Sequence, residues 1–298
     1  MEGSISTLVS QNWWSATRKW IAGAPGIRPV PQTPRIGIAL GGGFARGIAH
    51  IGVLRVLEKN NIPIHCISGI SAGAMVAAAY AGGCNPDQIE KAAKSMRFRD
   101  VARWTISRLG FAGSDRMVTF LDRLLRQNRF ENMRIPLAIV ATDLASGEPV
   151  VFRDKGDVVA PIRASCAYPG LFLPIRHEGH CLVDGAISME VPARPLRDLG
   201  ATHIISVHLP SPSGCGDPGS MFSVVNRCFQ VMSTRLEQEW RRCSNLVISP
   251  DVADAAWDSF ESAGKMVELG EKAATAALPT IQQWLKPRPV ALNVRVAG

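Results

Sequence analysis

Residues 41–74 read GGGFARGIAHIGVLRVLEKNNIPIHCISGISAGA, and the reading of this stretch decides the fold. It holds two glycine-rich turns, each preceded by a short apolar run and followed by a helical pattern. The apolar runs are Arg35–Leu40 (RIGIAL) and Ile62–Ser68. Short runs of this kind, bounded by turn signals, read as strands buried on both faces. The second turn, Gly69-Ile70-Ser71-Ala72-Gly73, has the G-x-S-x-G spacing of a nucleophile elbow, in which a serine sits on a sharp strand-to-helix bend. Gly69 and Gly73 remove the Cβ atoms that would clash in so tight a bend. The alanine-rich pattern from Ala72 to Ala81 predicts a helix that packs close to the sheet. The first turn, Gly41-Gly42-Gly43, places unhindered N–H groups at the start of a helix over 45–59, where orphan donors and the helix dipole suit an anion. A nucleophile turn beside an anion-binding turn is the minimum equipment for acyl transfer.

The first turn does not fit two nucleotide-binding patterns. Gly42 and Gly47 have the glycine spacing of a Walker A loop, but Ile48 stands where lysine is needed. Gly41 and Gly43 open a dinucleotide fingerprint, but Arg46 stands at its third glycine. An oxyanion hole remains, with Arg46 adding positive charge near a developing oxyanion or a substrate phosphate; the alternative for Arg46 is a surface ion pair.

Outward from this stretch, strand and helix patterns alternate. Asn85-Pro86 starts a helix, with proline at its first position. Residues 97–113 show no clear period and read as a connector or as a substrate-facing lid. Ser114–Arg126 reads as an amphipathic helix capped by Ser114 or Asp115. Leu137–Thr142 is β-rich, and Ser146-Gly147 makes a hairpin turn into Pro149–Arg153. A helix over 157–166 and an irregular segment, AYPGLFLPIRHEG, precede a short strand from His180 to Val183. Strands near 202–209 and 245–249 and helices over 220–242 and 257–285 complete the pattern. The alternation implies an α/β fold with a mostly parallel sheet covered on both faces.

Composition narrows the function classes. The net charge is +8, from 33 basic and 25 acidic residues, which suits an anionic membrane surface or simply a soluble basic protein. No motif mixing aromatic and basic residues for nucleic acid is present, and no run of 18 apolar residues would span a bilayer. The N-terminus lacks the basic and apolar regions of a secretory signal. Seven cysteines, an odd count without a C-x-x-C pair, fit reduced thiols in a cytoplasmic protein rather than a zinc site or a disulfide framework. Residues 1–34 form an extension in which Val9, Trp13 and Trp20 could share a helix face beside Arg18 and Lys19. Such a helix suits a membrane interface or docks on the protein's own surface. Residues 35–285 read as one domain, and 286–298 as a tail.

A serine nucleophile needs a base. None of His50, His65, His177, His180, His203 and His208 stands in a distinctive catalytic context. Asp184 ends a strand and precedes Gly185-Ala186, which leaves backbone room around its carboxylate; a lone Asp-Gly is otherwise an ordinary turn.

Together these blocks resemble the patatin-like phospholipase family, in particular its compact bacterial members. GGGFARGIAHIGVLRVLE resembles the family's G-G-G-x-x-[RK]-G block and GISAGA its G-x-S-x-G block. ATDLASGEPVVF with IRASCAYPGLFLP is similar to a third block, and DGA to the D-G-[GA] block. The longer glycine loop, with Phe44-Ala45 before Arg46, departs from the plant members, so their substrate range does not carry over. The resemblance implies a three-layer α/β/α sandwich and a Ser–Asp dyad, with Ser71 as nucleophile and Asp184 as base. It also implies an oxyanion hole lined by Gly41, Gly42, Gly43 and Arg46. The expected substrates are phospholipids or lysophospholipids at a peripheral membrane surface on the cytoplasmic side, without metal, cofactor or nucleic acid. A small-ester or thioester hydrolase, or a regulatory binding protein with a vestigial site, remains as an alternative.

Overall fold

Strand β1 (Ile36–Leu40) is buried at every residue in the computed structural model of this chain. A short 3-10 turn leads to helix α1 (Ala49–Lys59), strand β2 (Ile64–Gly69) and helices α2 (Ala72–Ala81) and α3 (Pro86–Ser95). Helix α4 (Phe98–Val101), strands β3 (Arg103–Trp104) and β4 (Gly110–Gly113) and helix α5 (Asp115–Leu124) come next. Strands β5 (Leu137–Asp143) and β6 (Pro149–Arg153), helix α6 (Val159–Ser165) and strands β7 (Gly170–Phe172), β8 (Ile175–His177) and β9 (His180–Asp184) follow. Helix α7 (Arg194–Asp198), strand β10 (His203–Val207), helix α8 (Met221–Cys243), strand β11 (Leu246–Ile248) and helix α9 (Ala263–Leu285) end the order. The structure describes residues 33–105, 107–211, 217, 219–255 and 260–286. Of these, Pro34–Leu285 group as one compact unit. The expectations for the extension and the tail lie almost wholly outside the described residues.

The main sheet has the order β11-β10-β1-β2-β5-β9-β8, with β6 paired to β5. The run from β11 to β5 is parallel, and β6, β8 and β9 join antiparallel. Side chains alternate between the two faces of a strand, and here both faces are covered. Ile36, Ile38, Leu40, Ile67 and Ile205 pack into a core with Leu54 of α1 and Met266 of α9. Ala39, Cys66 and Ile204 pack on the other side with Leu196 of α7 and Trp240 of α8. This is the expected α/β/α sandwich, and it explains why β1 shows no polar alternation: no face of it meets water. No described helix is long and apolar enough to cross a membrane.

The register around β5 positions the site. β6 occupies one edge of β5 from Ala138 to Thr142. β2 and β9 therefore share the other edge, β2 opposite 137–139 and β9 opposite 141–143. β2 runs parallel to β5 and β9 antiparallel, so their C-terminal ends point at one another. Gly69 ends opposite Ile139 and Asp184 ends opposite Ala141. Two residues of strand span roughly 7 Å, so both chains must turn out of the sheet in the same small space.

Three local expectations need correction. The stretch 97–113 is neither plain connector nor loop: β3 and β4 form a second sheet with β7. Strands of two to four residues containing Gly110 and Gly113 are too short to show a period-two pattern. The segment AYPGLFLPIRHEG is likewise not irregular throughout, since β7 and β8 lie within it. Finally, Ser114 is the N-cap of α5 but makes no capping bond; its hydroxyl accepts from Arg163 Nε at 3.2 Å instead.

Candidate active site

Ser71 stands between the end of β2 and the start of α2 with φ 53° and ψ −124°. A left-handed backbone at a residue other than glycine costs on the order of 1–3 kcal/mol and persists only where its surroundings hold it. The holding contacts are visible. Ser71 N–H donates to Ser165 Oγ at 2.8 Å, and Ser165 donates to the Val140 carbonyl at 2.6 Å. The Ser71 carbonyl accepts from Ala74 N–H at 2.9 Å. The bend also admits no side chain at its flanking positions. A Cβ at Gly69 would lie 2.4 Å from the Gly73 carbonyl oxygen, and one at Gly73 would lie 2.4 Å from that of Leu40. Both glycines of the motif are thus required by backbone contacts.

Asp184, at the end of β9, is 2% exposed, and Ser71 is 7% exposed. The Ser71 side chain and the Asp184 carboxylate line the same cavity, and the carboxylate Oδ1 accepts from Ala186 N–H at 2.9 Å. The Asp184 carbonyl accepts from Thr142 Oγ1 at 2.9 Å, which fixes the strand end. Burial pushes the Asp184 carboxyl up to about 7, against the opposing pull of the Ala186 N–H and of the neighbouring Ser71 hydroxyl. Desolvation thus outweighs hydrogen bonding and leaves a carboxylate basic enough to exchange a proton near neutral pH.

The glycine loop divides its labour. Gly41 N–H donates to the Val207 carbonyl at 3.1 Å, so it continues the sheet and is not free to hold an anion. That corrects the expectation of a Gly41 donor. The N–H groups of Gly42 and Gly43 have no hydrogen-bond partner among the described residues. Phe44 also takes a left-handed backbone, with φ 50°. Arg46 Nη1 donates to the Pro210 carbonyl at 2.9 Å, and its Nε is buried without a partner. Burial lowers the pKa of this guanidinium. Among the described residues Arg46 makes no ion pair.

His50 lies in α1 behind the loop, wholly buried, with Nε2–H donating to the Gly41 carbonyl at 2.9 Å. Burial drives its pKa down to about 4, so the ring is neutral at pH 7. Its contact is with the loop backbone. His180 sits beside Asp143, His208 beside Glu190 and His177 beside Glu178.

Two cavities meet at Ser71. One is walled almost entirely by apolar groups, among them Phe44, Ile51, Met75, Phe98, Met117 and Phe172. The other is more polar and brings together Gly42, Gly43, Arg46, Asp184 and Tyr168 with Asn226 and Gln230 of α8. No described histidine lines either cavity. No group of three or more His, Cys, Asp or Glu that could hold a metal occurs among the described residues.

Three neighbours of Ser71 carry roles that the sequence reading did not assign. Ser165 anchors its N–H, the buried Cys166 lines the apolar cavity with it, and Tyr168 lines the polar cavity. All lie in or just after α6. A serine in a helical pattern carries no local mark of such a contact.

The sequence model of the family described as Patatin-like phospholipase matches residues 38–197 of the chain. An uncharacterized NTE family protein of Mycobacterium tuberculosis (strain ATCC 25618 / H37Rv) is 36% identical over 181 residues, 60% of this chain and 50% of its own. Lysophospholipase NTE1 of Cryptococcus neoformans var. neoformans serotype D (strain JEC21 / ATCC MYA-565) is 33% identical over 185 residues, 59% of this chain and 11% of its own. The matches thus span half or less of the length of these relatives. VipD from Legionella pneumophila superposes with a TM-score of 0.53 at 15% identity, covering 84% of this chain and 67% of VipD, a likeness of fold alone.

Proposed function

Because the chain belongs to the patatin-like phospholipase family, we propose that it is a serine acyl hydrolase for fatty acyl esters of phospholipids or lysophospholipids. Ser71 is the nucleophile and Asp184 the base. One observation carries this reading. The Ser71 side chain and the buried Asp184 carboxylate stand together at the seam between an apolar and a polar cavity. A lipid ester has the same division, with an acyl chain on one side of its carbonyl and a polar alcohol on the other.

Asp184 takes the hydroxyl proton as Ser71 Oγ attacks the ester carbonyl carbon. The free N–H groups of Gly42 and Gly43 hold the tetrahedral oxyanion, and the charge of Arg46 favours it. The ester C–O bond then breaks, and the leaving alcohol takes the proton from Asp184. Water attacks the acyl-serine and gives its proton to Asp184, the acyl–Oγ bond breaks, and the departing Oγ takes that proton back from Asp184. Fatty acid leaves and Ser71 is restored. The Ser165 bond keeps the elbow aimed through both steps, and His50 holds the loop. In this reading residues 35–285 are the hydrolase domain of a cytoplasmic protein, and the extension 1–34 assists at the membrane. The relatives named lysophospholipase favour a single-chain substrate.

Digestion of a mixture of diacyl and lysophospholipids, with products resolved by mass, tests the reading. Free fatty acid with a matching glycerophosphodiester or lysophospholipid is expected. Turnover of short soluble esters with no acyl release from any lipid would establish the small-ester alternative. Failure of a fluorophosphonate probe to label the folded protein would establish the vestigial one.

Arg46→Ala separates charge from loop support. If the guanidinium acts as an oxyanion donor, its loss should cost roughly 2–4 kcal/mol on every ester. Its Nη1 is already committed to Pro210, so the expected result is a smaller general loss and a larger one for anionic phospholipids. The ratio kcat/KM for a phosphatidylglycerol against a neutral nitrophenyl ester measures the difference. Equal losses would mean that Arg46 serves only to tie the loop to Pro210.

A further inference from the structure

Charge is concentrated in one segment. Between Lys91 and Arg126 stand nine Lys or Arg and three Asp, which accounts for six of the chain's eight net positive charges. Within it, Arg97, Arg99, Arg116 and Arg123 line a groove between α3 and α5. Arg97 and Arg116 bond backbone carbonyls, and no carboxylate pairs Arg99, Arg108 or Arg123 among the described residues.

The same segment bears three large exposed apolar side chains: Trp104 at 69%, Leu109 at 69% and Phe111 at 49%. All belong to the β3–β4 hairpin. Trp104 pairs across from Ala112, so these two share a face, and Phe111, one residue from Ala112, points to the opposite face. Leu109 stands in the connection between the strands. The Ala112 face packs on the chain itself, with Ala112 fully buried beside Phe98 and Phe172, so the apolar groups left to solvent are Trp104 on the outer strand, Leu109 in the connection and Phe111 on the outward face. Exposed apolar side chains on the outer strand, in the connection and on the outward face of one hairpin fit a fluid apolar medium, with arginines placed to meet anionic head groups beside it.

The hairpin also adjoins the path to Ser71. Trp104 packs at a tilt against Phe98 with ring centroids 5.6 Å apart, and Phe98 lines the apolar cavity that Ser71 also lines. The basic groove shares Met96, Phe120 and Leu124 with that cavity.

From this arrangement we propose that the β3–β4 hairpin and the α3–α5 arginine groove form the surface by which the protein docks on an anionic lipid bilayer. The hairpin enters the acyl region beside the mouth of the apolar cavity. The proposal rests on the lipid-hydrolase reading for its purpose, but the binding itself is independent of chemistry.

Co-sedimentation of the full chain with phosphatidylcholine vesicles, with and without phosphatidylglycerol, tests it. Binding to the anionic vesicles is expected, weakening as salt is raised. Leu109→Asp with Phe111→Asp should lower the partition at least about tenfold. Arg99→Gln with Arg123→Gln should remove the preference for anionic lipid. Both pairs should keep turnover of a short soluble ester, because none of the four residues touches Ser71, Asp184 or the glycine loop. Sedimentation of the aspartate pair equal to that of the native chain would overturn the proposal. So would retention on duplex DNA, lost in the glutamine pair, by a native chain that ignores vesicles. Absence of ester turnover in the native chain would instead sink the hydrolase reading and leave the docking result standing.

Discussion

Asp184→Asn should leave a folded protein whose turnover falls by about 10⁴-fold, the loss seen when a catalytic carboxylate becomes an amide. Asparagine keeps the shape and one acceptor oxygen, so the Ala186 N–H bond can persist while the basic oxygen is lost. The same carboxyl sets the pH profile. With its pKa at about 7, kcat/KM on a soluble ester should fall about tenfold per unit below that pH and level off above it. Single replacements of His65, His177, His180, His203 and His208 should each retain substantial turnover. His50 is the informative control. Its loss frees the Gly41 carbonyl and should lower turnover through the loop, without moving the pH midpoint. A folded histidine variant as inactive as Asp184→Asn would replace the dyad with a conventional triad.

Stability should move the other way. The Asp184 pKa is raised on folding, so the carboxyl supports the fold fully below about pH 4, and that support is lost as pH rises through about 7. At pH 8 the ionised buried group weighs against folding by up to about 4 kcal/mol. Asp184→Asn should therefore melt above the native protein at pH 8 and show little advantage at pH 4. Equal melting temperatures at pH 8 would show that the carboxylate is better solvated than its burial implies.

Ser71→Ala is the second large effect. Removal of the attacking oxygen should reduce turnover by roughly 10⁶-fold and abolish labelling by a fluorophosphonate probe. Alanine inherits the left-handed φ and the N–H bond to Ser165, so the fold should survive with little change in melting temperature. Ser71→Gly should be as inactive but more stable by about 1 kcal/mol, since glycine bears that φ without strain. Full turnover by a folded Ser71→Ala protein would end the proposal that Ser71 is the nucleophile.

What the sequence alone determined about this protein is local. Apolar runs without alternation, such as IGIAL, announce strands buried on both faces, and Gly69-x-Ser71-x-Gly73 announces a bend because a Cβ at Gly69 would strike the backbone of the turn that follows it, whereas Gly73 is required by the Leu40 carbonyl of β1. The strand–turn–helix order then implies the parallel sheet. Torsional preference and hydrophobic period act over a few residues and can be read there. Tertiary structure decided the rest. Asp184 reaches Ser71 because β9 shares an edge of β5 with β2 and meets it end to end, a register that no local pattern encodes. The same holds for the loss of the Gly41 donor to Val207 and for the bond from Ser71 N–H to Ser165. It holds as well for the carboxyl at about 7. Each depends on which distant groups pack together and exclude water, and desolvation is a property of that packing rather than of any stretch of chain.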